Sequence, residues 1–127
     1  MPGTEEYPDV DAMTHAERAA CAAEQIAAGG DPREWNYLLP GEGDIAEEEA
    51  VALAKEAISA RLGLDQDALD AMTLETRFWL DYDLGEEPVR AWWVRFVDNI
   101  NDYQVTLRAG DGRVESLDLR DGALGVG

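Results

Sequence analysis

The sequence predicts an α+β fold, an antiparallel sheet of three or four strands packed against one main helix with an extra helix before it. Three observations predict it. A helix-start signal at residue 44 opens an apolar stripe at three- and four-residue steps that runs to Leu62. From residue 73 the period changes to two and stays there, broken by Gly- and Asp-rich turns. The chain has 127 residues, the length of one ordinary domain.

The first twelve residues are acidic, carry two prolines and lack periodicity, so they read as a flexible tail. Thr14-His15-Ala16-Glu17 has capping-box spacing, in which the Thr hydroxyl and the Glu carboxylate satisfy amides at a helix start. An Ala-rich helix follows through Ile26 and stops at Gly29-Gly30. Its apolar side chains are small, so it can lie close to a neighbour but gains little from burial. The connector from Asp31 to Gly43 holds Trp35, Tyr37, Leu38 and Leu39 and is too apolar for a free linker, so Trp35 or Leu38 should be inserted. Residues 13–43 thus form a helix-plus-connector unit ahead of a domain at 44–121, and 122–127 read as a second tail.

Asp44-Ile45-Ala46-Glu47 is a second capping-box-like start. Glu47, Glu48 and Glu49 complement the positive end of the helix dipole. Val51, Ala54, Ile58 and Leu62 form the stripe, with Leu53 and Ala57 beside it, and Gly63 stands where a C-cap glycine belongs. Asp65 caps a short turn through Leu69. Strands are expected over 73–82, 89–97, 103–107 and about 113–119, with hairpin chemistry at Gly110-Asp111-Gly112. Alternation turns Phe78, Leu80, Trp92, Val94 and Phe96 toward the helix. It leaves Arg77, Trp79, Trp93 and Arg95 on the other face. Aromatic residues and Arg together make the hot spots of protein interfaces, so these four are the candidate protein-binding face. The competing expectation is that the first helix or the connector covers that face as a second small core.

The segment Asp44 to Lys55 resembles the helix that opens PepSY-like domains. Trp92-Trp93-Val94-Arg95-Phe96 is similar to their aromatic strand, and Tyr103-Gln104-Val105-Thr106-Leu107 with Gly112-Arg113-Val114 is similar to their closing hairpin. The resemblance spans residues 44–119. Two features depart from the pattern: Gly110-Asp111-Gly112 replaces the usual Thr-Gly pair, and alternation is irregular at Ser116 and Leu117. The resemblance implies a small non-catalytic module of exported or envelope-associated bacterial proteins and protease propeptides, with protein binding or protease inhibition as its role. It implies no catalytic residues. It also leaves two compartments open: cytoplasmic, since the first residues have neither basic nor apolar leader character, or the cell envelope, if the chain is an excerpt.

With 28 acidic and 10 basic residues the net charge is −18, which argues against nucleic acid and anionic membrane as partners. No apolar run reaches a membrane span's length. His15 and Cys21, the only histidine and cysteine, point different ways on one helix, so no catalytic pair is expected. His15 reads as solvent-exposed and Cys21 as a small packed hydrophobe. Asp65-Gln66-Asp67 begins like a calcium loop, but Asp70 and Thr76 occupy the positions that need Gly and Glu. Asp81-Tyr82-Asp83 fails in the same way. No cofactor or metal set is expected, and the chain reads as no enzyme. The partner is an unidentified protein or peptide, with the oligomeric state open. The rival readings are a spacer domain of a larger envelope protein with no ligand of its own, and an acidic mimic of nucleic acid that binds a basic protein.

Overall fold

The computed structural model describes residues 12–120; both expected tails, apart from residue 12, lie outside them. Three helices and four strands follow in order: α1 (His15–Ala27), α2 (Glu47–Leu62), α3 (Gln66–Asp70), β1 (Thr73–Asp81), β2 (Val89–Val97), β3 (Asp102–Arg108) and β4 (Val114–Arg120). The strands form one antiparallel meander in the order β1-β2-β3-β4. This is the α+β architecture expected, with all four strands present.

The core lies between α2 and one sheet face. Ala50, Ala54 and Ile58 meet Phe78, Trp92, Val94, Phe96, Tyr103, Val105 and Leu107, all essentially without solvent exposure. The buried line on α2 is therefore Ala50-Ala54-Ile58, with Val51, Leu53 and Leu62 packed at its flanks. Small residues at its centre let the helix approach the sheet closely, and the larger side chains wrap the edges. Trp92 can be a core residue because its indole N–H donates to the Ile45 carbonyl at 2.9 Å. Leu80, expected toward the helix, is only half-buried.

Both bonds of the Thr14/Glu17 capping box form, at 3.1 and 2.8 Å. The second box does not. Asp44 is not the cap of α2; Ala46 stands at that position and makes no side-chain bond. The Asp44 carboxylate instead accepts from the Gly41 amide at 2.7 Å and from Arg90 Nε and Nη2 at 3.0 and 2.8 Å. The Oδ2 atom thus serves a charged guanidinium from β2 and the amide three residues before it, instead of the Glu47 amide that a capping box would use. Gly63 adopts the left-handed conformation of a C-cap, with φ +72°.

The irregular alternation near Ser116 is a β-bulge. Thr106 pairs with Ser116 but Leu107 pairs with Val114, so Glu115 is the extra residue, and it forms an ion pair with Arg108.

The connector is not a separate layer. The Leu38 amide donates to the Phe78 carbonyl at 3.0 Å and the Leu80 amide donates to Asn36 at 2.9 Å, which bridges Tyr37 to Trp79 and pairs part of the outer edge of β1. Leu38 packs on the main core, as the sequence expected of it or Trp35.

Candidate functional site

The register of β1 against β2 sets Glu75 opposite Arg95, Arg77 opposite Trp93 and Trp79 opposite Ala91. All four predicted residues, Arg77, Trp79, Trp93 and Arg95, thus lie on the sheet face away from α2. Ala91 leaves room beside Trp79, and the Trp79 and Trp93 rings approach to 5.7 Å between centroids, tilted by 31°. Tyr37 extends the row from the bridged connector, 6.3 Å from Trp79. An aromatic strip Tyr37–Trp79–Trp93 therefore crosses the β1 side of the sheet. Tyr37 escaped the sequence reading because its place depends on an isolated bridge between segments about forty residues apart.

The strip has a polar frame. Arg95 donates to both oxygens of Asp102, each at 2.9 Å, and to Glu75 at 3.3 Å. The bidentate Arg95 bond holds the Asp102 carboxyl below the usual carboxylate range. Hydrogen bonding to Asp102 raises the Arg95 pKa further. Gln104 links frame to strip: its oxygen accepts from Trp93 Nε1 at 3.3 Å and its nitrogen donates to Asp102 at 3.3 Å. Trp93 and Arg95 are thereby locked in orientation.

Arg77 takes a different role from its three companions. It is 7% exposed, its guanidinium sits 5.9 Å from the Trp93 ring centroid, and Nη1 donates to the Thr76 carbonyl at 2.8 Å. It packs against the Trp93 ring, largely withdrawn from solvent. Trp79, Trp93 and Arg95 are half-buried. Helices α2 and α3 do not cover the strip. Residues of α2 and α3 pack in the core on the other face; the start of α1 meets Trp92 through the His15 ring at 5.5 Å and, with Thr14 and Arg18, lines one pocket with Arg77. The connector reaches the strip through Tyr37.

His15 is not solvent-exposed as its position on an Ala-rich helix suggested. It is half-buried where α1, α2 and the sheet meet. Nε2 lies 3.2 Å from the Thr76 hydroxyl and 3.4 Å from Glu47, and Nδ1 lies 3.2 Å from Arg18 Nη1. Arginine only donates, so Nδ1 accepts and the proton sits on Nε2. The Thr76 hydroxyl in turn donates to Glu47 at 2.9 Å. The imidazole has no lone pair aimed at that hydroxyl, which is the opposite of what a base–nucleophile pair requires. Burial lowers the His15 pKa, with Arg18 and Arg77 adding to it against Glu47.

The carboxylates of the calcium-like segments bind their own backbone. Asp65 caps α3 by accepting from the Asp67 amide, and Asp81 accepts from the Asp83 amide at 2.8 Å. Among the described residues no helix is long and apolar enough to cross a membrane. No family model, curated protein or solved structure matches the chain.

Proposed function

We propose that the chain is a non-catalytic module that binds another protein or peptide through the outer sheet face, with Trp79 and Trp93 as anchors and Arg95 at the rim. The observation that carries this reading is the Tyr37–Trp79–Trp93 strip on the sheet face away from α2. Aromatic side chains held by packing, and Trp93 also by its bond to Gln104, lose little freedom on binding, so contact area converts efficiently into affinity. The PepSY-like pattern of residues 44–119 supports the same reading and adds protease inhibition as a candidate role. Either compartment, cytoplasmic or envelope, fits it.

The test is affinity capture on the immobilised domain, challenged separately with cytosolic and secreted fractions of the source cells. Wild type should retain a partner at physiological salt. Trp93→Ala should lose that partner while its thermal melt stays cooperative, because the indole is half-buried outside the main core. Retention of the same partner by the folded variant overturns the surface assignment.

The spacer reading draws on one feature of the same face. Arg95 spends its donors on Asp102 and Glu75, so the rim offers no uncommitted guanidinium at that position. A clean blank from both fractions favours it.

A further inference from the structure

α1 buries only Arg18 and Ala22. Its remaining small side chains, Ala19 and Ala23, form one wall of a groove whose other wall is the connector and the end of β1. The groove encloses about 260 Å³ and is lined by Ile26, Trp35, Leu38, Leu39, Leu80 and Tyr82. Ile26 and Leu39 are 40% and 49% exposed, and they are two of the four large apolar side chains exposed among the described residues. Two such side chains at one concave site mark a surface that gains from being covered.

The rim identifies what could cover it. Asp31 and Glu34 flank Pro32 and Trp35 in the chain, and Asp81 and Asp83 flank Tyr82; all but Asp81 are exposed. Arg33 shows how a cation sits here, with its guanidinium 4.8 Å from the centre of the Tyr82 ring. A second copy of the chain would bring −18 against −18, and an anionic lipid surface meets the same repulsion.

We propose that this groove is a second binding site, which takes a cationic amphipathic segment of a partner protein. The segment's apolar side chains enter between α1 and the connector, where the Ala wall permits close approach. Its Lys or Arg side chains meet the acidic rim. Tyr37 borders both the strip and the groove, but Trp93 is no part of the groove and Leu39 no part of the strip, so variants at those two residues distinguish the sites.

The probe is a synthetic amphipathic Leu/Lys peptide, with a Leu/Glu peptide of the same length as control, titrated against the full chain by calorimetry. The Leu/Lys peptide should bind and the Leu/Glu peptide should not. Leu39→Glu and Ile26→Glu should each weaken binding by about tenfold or more through lost apolar contact. Both variants add negative charge, so attraction by net charge alone would strengthen them. Circular dichroism confirms the fold of each, and Ile26→Gln repeats the test without a charge change. Trp93→Ala should bind the peptide unchanged. Affinity that is equal or higher in the folded Leu39 and Ile26 variants, or no binding of the Leu/Lys peptide, overturns the proposal.

Discussion

Gly112 shows how much one residue can carry. It closes the β3–β4 hairpin with φ +77°, and a Cβ there would lie 2.6 Å from Leu53 Cδ1 on α2. The main cost is the left-handed backbone, which side chains resist, while the overlap falls on the tip of the half-buried Leu53 side chain, which can turn aside. Gly110, two residues earlier, has neither a positive φ nor any atom within 4 Å of a Cβ. Gly112→Ala should therefore destabilise the protein by about 1 kcal/mol or more, whereas Gly110→Ala should stay within about 0.5 kcal/mol of wild type. Urea midpoints of the two variants check this, and equal midpoints would show that the hairpin yields to the side chain. The Gly-Asp-Gly motif announced a turn in the sequence. Which glycine is indispensable depended on which of the two takes the left-handed conformation.

Among the elements, α1 is the one most lightly held. It is capped at its start by Thr14 and Glu17 but buries only Arg18 and Ala22, and His15 joins it to α2 and the sheet. That joint has a pH dependence whose sign follows from the direction of the shift. The folded-state pKa of His15 lies below the ordinary value of 6.5, so the unfolded chain binds the proton more readily. The contribution is complete above about pH 6.5 and is lost as pH falls below it toward the folded value. Protonation would also place a hydrogen on Nδ1 facing Arg18. The melting temperature of wild type should fall more steeply than that of His15→Gln between about pH 7 and about pH 5. Parallel pH profiles would show that the imidazole is indifferent to its charge. This joint was not legible in the sequence, because His15, Glu47 and Thr76 are brought together from three separate segments. The capping box was legible, because all its atoms lie within four residues.

For the whole molecule, charge and packing oppose each other. A net charge of −18 on 127 residues favours expansion, and the buried sheet–helix core resists it. Salt screens charges farther apart than about 10 Å at about 0.1 M, while close and partly buried pairs such as Arg95–Asp102 are screened less. Raising salt from about 10 to about 300 mM should therefore raise the melting temperature. An unchanged value would mean that the ion pairs offset the repulsion.

What the amino-acid order settles without further help is local or periodic. The helix of 47–62, the four strands, the glycine C-cap and the sorting of residues between two sheet faces all follow from periods of 3.6 and 2 and from turn chemistry. Those patterns name a residue's face, so Arg77, Trp79, Trp93 and Arg95 could be grouped before any coordinate was known. They do not say what a face meets. Asp44 abandons its cap for Arg90, Arg77 packs against Trp93 instead of standing in solvent, and Tyr37 joins the strip across an isolated bridge. His15 moves from an exposed helix surface into a three-element junction. Each of these is a competition between a local partner and one distant in the chain. The distant one prevails where a charge, a ring or a backbone amide is held at hydrogen-bond or van der Waals distance, and only the packed chain fixes such distances.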